Sequence, residues 1–566
     1  MPAPARNGPP ARGRPGANAR ARGAPALGAA APGVTLRTRI AHALLFAITL
    51  ALAFPFRAGE LRFDLGAAAG WLALAPLAAL LRDLGPRAAF KWAFFSSWLG
   101  FTLIVFWLYV VVTVHGGAPA IAGVAAVLVV SGVVAAHAGA AGALWVWLAP
   151  RAGRAAALVL PAAWLVMEHL RGFDFLGGFT WASLGYATHL DLPMLGLASL
   201  GGVHALSFVT ALAGTLLGLG RWPAALAVVA VAHGIGFLAL PSASDLAAPR
   251  DPPLRVAMVQ GNIPQGEKWD PARAQRNFDV HLELSRAVAA ERPDLILWPE
   301  SALPGFLEAQ PEFRDPLLAL ASEIDVPLVV GGIGLSRVPG ERMPLLHNSL
   351  FVVTPSQGVV DRYDKTVLVP FGEYVPLRSL LGFLSAVAST LADLSDISPG
   401  AGARPLRGLS EFEPAQTPVG LICYEAVYPE LVRAAVRGGA QLLMNLTNDA
   451  WYSRTSAPHQ FLAIAALRSA ENGLPMLRAA NTGVSAVIDA RGVVLRETPI
   501  FERLTLTAEI PPGRKKPTVY TRVGDWPIAA SWLLLVGCAG FTLLRRSTLA
   551  PPGRPMRPVD RVEPLD

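Results

Sequence analysis

The chain has few cysteines, little charge and almost no acid at its two ends, and each shortage rules something out. Two cysteines in 566 residues allow at most one disulfide, and Cys538 lies within an apolar run, so a disulfide framework is excluded. Charged residues make up only 16% against 53% hydrophobic, which excludes a wholly soluble chain. The ten histidines form no His-Glu-x-x-His and no paired ligand spacing, so neither zinc nor any other metal is expected. Gly-x-Ser-x-Gly and a Walker loop are also missing, and Gly332-Ile-Gly334 is a strand-turn fragment, so no cofactor is expected. Residues 1–39 carry seven Arg and no acid, and the tail from Arg545 carries five Arg against three acids. These ends hold +7 and +2, more than the net +8 of the chain, and both flank apolar runs. That placement excludes a nucleic-acid surface and marks a cytoplasmic side.

The long apolar runs come next. Runs at 39–56, 65–82, 89–114, 118–149, 155–170, 195–219, 223–241 and 527–544 predict about eight membrane spans. Arg82, Arg87 and Lys91, then Arg151 and Arg154, then Arg221 occupy alternate short loops, whereas Val114–Pro119 has no Lys or Arg. Both termini are therefore expected in the cytoplasm and residues 242–526 outside. The expected organisation is a disordered Arg-rich tail (1–38), a membrane domain (39–241), an external catalytic domain (250–512), a last span (527–544) and a cytoplasmic tail (545–566). Intramembrane His137, His204 and His233 are read as helix-packing or polar-loop residues rather than a proton path.

The external block alternates strand-like and helix-like runs. Leu254–Gln260, Leu295–Trp298, Val326–Gly331, Leu350–Thr354, Val419–Cys423, Leu442–Leu446 and Ser485–Ile488 are short, apolar and bounded by turn formers. Pro271–Glu291, Pro429–Arg437 and His459–Asn472 are amphipathic. Such alternation predicts an α/β layered sandwich with its chemistry at strand ends. Leu377, Leu380, Leu381, Leu384, Val387, Ala388 and Leu391 form an apolar stripe over Leu377–Leu394, read either as core-facing or as a lipid-dipping arm.

Three residues of this block carry chemistry. Glu300 follows Trp298-Pro299, where proline stops the strand ladder and frees the carboxylate to face a cleft. Lys365 precedes Thr-Val-Leu-Val-Pro-Phe-Gly-Glu-Tyr-Val-Pro (366–376), with Glu373 placed to orient it. Cys423 is the only thiol outside the spans and ends a strand before Tyr424-Glu425. A free thiol titrates near ~8.5, so it needs a base and a cation to act as a nucleophile at neutral pH. Each residue alone has a bland reading, as surface carboxylate, solvated lysine or buried inert thiol. Together they make a base, an oxyanion partner and a nucleophile.

On these residues the block resembles the nitrilase (carbon–nitrogen hydrolase) superfamily, whose Glu–Lys–Cys set matches Glu300, Lys365 and Cys423 in order and context. The whole chain resembles the apolipoprotein N-acyltransferase family over about residues 38–545. The motifs are Val259-Gln-Gly-Asn-Ile-Pro-Gln265 with Lys268-Trp269, Trp298-Pro-Glu300, Leu368–Pro376, Cys423-Tyr-Glu425, Thr447-Asn-Asp-Ala-Trp451 and Asn481-Thr-Gly483. The resemblance implies a nitrilase-like αββα sandwich inserted between transmembrane helices. It also implies Trp269, Glu373, Tyr424 and Glu425 as substrate-binding or supporting residues, with Trp269 lining the acyl channel. The implied reaction moves an acyl chain from a glycerophospholipid, phosphatidylethanolamine by preference, to the N-terminal amine of a diacylated apolipoprotein. It would run in a monomer at the bacterial inner membrane. A membrane-tethered nitrilase-type amidase is the alternative, and a transporter with a degenerate external domain is the non-enzyme reading. Thr180, where proline is more usual, and Leu474, where arginine is common, depart from the pattern.

Overall fold

A helix stands at each of the eight apolar runs of the computed structural model, which describes residues 34–173, 178–248, 251–337, 339–340, 343–374, 397–409 and 417–548. They are Leu36–Leu52, Gly66–Leu81, Pro86–Ile104, Ala120–Leu148, Ala156–Leu170, Leu192–Gly218, Trp222–Ala239 and Trp526–Thr548. Not all of them are spans by length and composition. Among the described residues, three helices qualify (Ala120–Arg151, Leu192–Gly218 and Trp222–Ala239), and Pro86–Ile104 with Trp107–His115 makes a fourth as a pair bent by 56°. The expectation of eight counts every apolar run as a crossing, whereas the helices inside some of those runs are shorter than the runs themselves. Leu36–Leu52 has 17 residues and Ala156–Leu170 has 15. At the helical rise these reach only about 23–26 Å, short of a hydrocarbon core of about 30 Å. Two breaks interrupt the longer runs: the bend after Ile104, and a kink at Gly201–Gly202, where Gly202 has φ 66°.

The first two helices are joined by an unanticipated hairpin, β1 (Phe56–Ala58) and β2 (Leu61–Phe63), which bridges to Thr455 of the α/β region. That region holds two sheets. The strands are β3 (Arg255–Gln260), β4 (Leu295–Leu297), β5 (Leu328–Ser336), β6 (Leu345–Thr354), β7 (Gly358–Asp364), β8 (Pro418–Ile422), β9 (Leu442–Thr447), β10 (Met476–Ala480), β11 (Ala486–Ile488), β12 (Val494–Glu497) and β13 (Leu504–Glu509). One sheet has the order β13-β3-β4-β5-β6-β7 and the other β12-β11-β10-β9-β8. The central pairs β3/β4, β4/β5, β8/β9 and β9/β10 are parallel.

Side-chain alternation builds the layers. Val256 and Met258 of β3 face inward with Leu442, Met444 and Leu477 of the second sheet. Ala257 and Val259 face outward, packing with Phe278 and Leu282 of helix Ala274–Ala289 and with Leu317 and Leu320 of helix Pro311–Ile324. On the opposite outer face, Val419, Leu421 and Leu443 meet Val432 of Pro429–Arg437 and Leu462 and Ala465 of Ala457–Asn472. This is the expected αββα sandwich. Strands β7, β10, β12 and β13 and helix Pro311–Ile324 are absent from the sequence reading: β7, β12 and β13 are sheet edges with partly exposed faces, and central β10 is a short run interrupted by the buried Arg478. The Leu377–Leu394 stripe lies outside the described residues.

Candidate active site

The parallel strands deliver their chemistry at their carboxyl ends. Glu300 lies three residues past β4, and Ser301 beside it has φ 50°. Cys423 does not end a strand. It is the first residue beyond β8, at φ 49°, and opens a 3-10 turn, Cys423–Val427. A left-handed non-glycine residue is strained, and here the sharp turn lifts the side chain out of the sheet. Lys365 follows β7, with its amide held by the Asn348 carbonyl of β6 at 2.8 Å.

These elements bring Glu300, Lys365 and Glu373 into one buried cluster. Lys365 Nζ lies 3.4 Å from Glu300 Oε1 and 2.9 Å from Glu373 Oε2. Asn348 Nδ2 ties the two carboxylates from the other side, donating to Glu300 Oε1 at 2.8 Å and Glu373 Oε1 at 2.6 Å. Asn448 N donates to Glu300 Oε2 at 2.8 Å, and Val369 N to Glu373 Oε2 at 2.8 Å. Lys365 is 1% exposed. Burial opposes its charge, but Glu373 and then Glu300 outweigh burial and hold the ammonium above the usual lysine range.

The Cys423 thiol is 7% exposed. Burial pushes it above the ordinary range and Glu300 adds to this, while Lys365 and a hydrogen bond from Thr447 pull it back. A thiol of this kind is protonated at rest and needs a base at the moment of attack. Its backbone carbonyl accepts from Asn445 Nδ2 at 3.3 Å.

The expected supporting residues fall in different places. Glu373 joins the cluster. Glu425 is fully buried, and its bonds go to the protein: Oε1 accepts from Tyr363 Oη (2.7 Å), Thr366 N (2.6 Å) and Val367 N (3.3 Å), and Oε2 from Ile422 N (2.7 Å). It therefore clamps the Lys365 loop to the nucleophile turn. Tyr424 is buried edge-to-face with Tyr428 at 5.4 Å. Trp269 is 50% exposed at the end of the short helix Gln265–Lys268.

Three polar residues of the site were not singled out individually. Lys268, inside a quoted motif, is 5% exposed and donates to the Glu300 carbonyl oxygen at 2.9 Å. Burial lowers its pKa to about 8 against the opposing pull of Glu300. Asn348 gave no signal, being a polar residue in a strand. Asn448 sits beyond β9, bonded through Nδ2 to Gln265 Oε1 at 2.8 Å. No group of three or more His, Cys, Asp or Glu that could hold a metal occurs among the described residues.

Residues 255–519 match the carbon-nitrogen hydrolase family model, and residues 46–216 match that of the apolipoprotein N-acyltransferase N-terminal domain. An apolipoprotein N-acyltransferase of Geobacter metallireducens is 35% identical over 516 residues, covering 88% of this chain and 93% of its own. The chain belongs to the apolipoprotein N-acyltransferase family. Members from Pseudomonas putida (35% identical; 83% of this chain, 91% of that one) and Methylococcus capsulatus (33%; 91% and 99%) are similar to it over comparable lengths. Among solved structures, an amidase from a Nesterenkonia species is 20% identical, covering 52% of this chain and 100% of its own at a TM-score of 0.35.

The two departures from the family pattern are accommodated locally. Leu474 is buried with Met476 and Val484 in the outer core. Thr180 Oγ1 donates to the Val427 carbonyl at the end of the nucleophile turn, at 3.2 Å. Of the three histidines, His137 Nδ1 lies 2.9 Å from Val133 O, His204 Nδ1 2.8 Å from Asp525 Oδ1 and His233 Nε2 3.0 Å from Asp191 Oδ2.

Proposed function

We propose that this membrane protein acylates the N-terminal amine of a diacylglyceryl-modified apolipoprotein, with a membrane glycerophospholipid as donor. The observation that carries the mechanism is the buried carboxylate–ammonium pair, Glu300 and Lys365, whose charges both act on the Cys423 thiol. Glu300 takes the thiol proton as Cys423 Sγ attacks the ester carbonyl. Lys365, kept charged by Glu373 and Glu300, faces the oxyanion, a role worth about 3–4 kcal/mol per donor. The C–O bond breaks, Glu300 returns its proton to the departing glycerol oxygen, and a thioester and a lysophospholipid remain. The lipoprotein α-amine, which ordinarily titrates near ~8, then attacks the thioester. Glu300 removes its proton, an amide forms and the thiol is regenerated.

Trp269 lines the acyl channel in this reading, and Tyr424 borders the nucleophile. Residues 39–241 and 527–544 form the membrane domain and 250–512 the catalytic domain. That domain is periplasmic, with both termini cytoplasmic and the protein in the inner membrane. The enzyme is a monomer and prefers phosphatidylethanolamine. A hydrolytic amidase would use the same three residues, but the apolar helices around the site favour a lipid donor.

Acyl-enzyme trapping tests the reading. Purified protein incubated with acyl-labelled phosphatidylethanolamine should carry label that hydroxylamine releases, and Cys423→Ala should carry none. Label persisting on that variant, or absent from the unmutated protein, refutes the first half-reaction. Adding a diacylated lipopeptide should move the label onto its amine, whereas release as free fatty acid would support the amidase.

A further inference from the structure

Helix Ala457–Asn472 lies on the outer face of the sheet that carries Cys423, and it is buried along its whole length. A helix buried all round needs no polar residues for packing, yet it carries Gln460, Arg468 and Glu471 on the side toward the membrane helices. Gln460 and Glu471 are eleven residues apart, about three helical turns, so they share one face.

Their partners are the two breaks in the membrane helices. Where Pro86–Ile104 ends, Leu108 N bonds to Val105 O at 3.0 Å instead of to Ile104 O one turn earlier, which frees the Ile104 carbonyl. Gln460 Nε2 donates to that carbonyl at 3.2 Å and to Pro55 O at 3.2 Å, and Gln460 Oε1 accepts from Trp181 Nε1 at 2.7 Å. At the other break, Gly202 interrupts Leu192–Gly218, and the amides that restart a helix lack carbonyls one turn back. Glu471 Oε1 accepts from Val203 N at 2.8 Å, an acid capping the new helix N-terminus. Gly202 cannot be replaced here, because a Cβ would sit 2.6 Å from the Tyr520 ring.

The same face reaches the nucleophile. Arg468 pairs with Glu471 at 2.8 Å, both fully buried, and its Nη1 lies 3.5 Å from Val427 O. That carbonyl, which closes the turn opened by Cys423, also accepts from Thr180 of the membrane half.

We infer that Gln460, Arg468 and Glu471 are positioning residues that hold the Cys423 turn in register with the two broken membrane helices, so that an acyl chain held by the helices meets the thiol in line. The inference rests on the phospholipid-donor reading above, and it makes the interface between the two halves part of the acylation machinery rather than an anchor.

Two substrates separate registration from folding. A short-chain p-nitrophenyl ester reaches Cys423 from water and needs no alignment with the helices, whereas vesicle-borne phosphatidylethanolamine does. Gln460→Leu should acylate from the soluble ester within about twofold of the unmutated protein, because the Gln460 side chain bonds Ile104, Pro55 and Trp181 and not the groups around Cys423. With vesicle phospholipid, kcat should fall tenfold or more for Gln460→Leu, with KM unchanged, since misplacement by about 1 Å can cost ~100-fold. Gln460→Asn, which keeps an amide donor for the Ile104 and Pro55 carbonyls and an acceptor for Trp181 on a shorter side chain, should recover part of the loss. Equal losses on both substrates that track the melting temperature, or no loss on either, overturn the inference. If the unmutated protein takes label from the ester but not from phospholipid, the donor reading fails and this inference falls with it.

Discussion

Glu425 provides a direct test of how the two catalytic loops are held together. Its Oε1 gathers the amides of Thr366 and Val367 and the Tyr363 hydroxyl, and its Oε2 holds Ile422 N, the amide preceding the nucleophile. All four partners are donors, and the side chain is fully buried. Glu425→Gln preserves the shape but can keep only one oxygen. The three donors on Oε1 claim it, which turns the new amide N–H2 toward Ile422 N–H. One charge-assisted bond is lost and two buried donors are left facing each other. At about 1–3 kcal/mol per orphaned donor, the variant should lose about 2–6 kcal/mol of stability. Because the amides of Thr366 and Ile422 flank Lys365 and Cys423, acylation kcat should fall as well, by about tenfold for a misplacement of a few tenths of an ångström. Unfolding midpoints in detergent and burst amplitudes with labelled phospholipid measure both. Burial pushes the Glu425 carboxyl up against the pull of Ile422 N and Thr366 N. A variant as stable and as fast as the unmutated protein would mean that the carboxyl is protonated in the fold and that the description of four donors on one carboxylate is wrong.

Two further outcomes follow from the electrostatics of the site. Glu300 is among the groups that hold the Cys423 thiol up, so Glu300→Gln should abolish acyl transfer yet speed alkylation of Cys423 by iodoacetamide at pH 7–8; slower alkylation would contradict the assigned coupling. Lys268 has its folded pKa lowered to about 8, while the unfolded value is near ~10.4. Between these values the unfolded chain binds more protons, so stability rises with pH across that window and is lost as pH falls through about 8. The contribution is of order 3 kcal/mol, and Lys268→Met should flatten that rise in thermal melts taken from pH 8 to 10.

Much of this protein was legible in one dimension because its signals are local. The hydrophobic run before Trp298-Pro299-Glu300 required a strand that stops at a carboxylate. The apolar strand Pro418–Ile422 required that the thiol after it stand at a sheet end. Helix Pro429–Arg437 begins and ends where its proline and amphipathic spacing indicate. Edge strands such as β7 and β12 carried no such signal, because only their neighbours in the sheet make them strands.

Composition and order of residues alone settled that a lone thiol, a carboxylate and a lysine share an α/β block flanked by apolar helices, since periodicity and strand ends are properties of nearest neighbours along the chain. Packing decided the rest. Asn348 bridges two carboxylates, Lys268 is buried against Glu300, Glu425 clamps two loops, and one helix of the sandwich fills the gaps left by two broken membrane helices. Apart from the Glu425–Ile422 bond, these contacts join residues far apart in sequence. What forces them is the cost of leaving a buried donor or acceptor unpaired, and which groups are buried together is known only once the layers have closed.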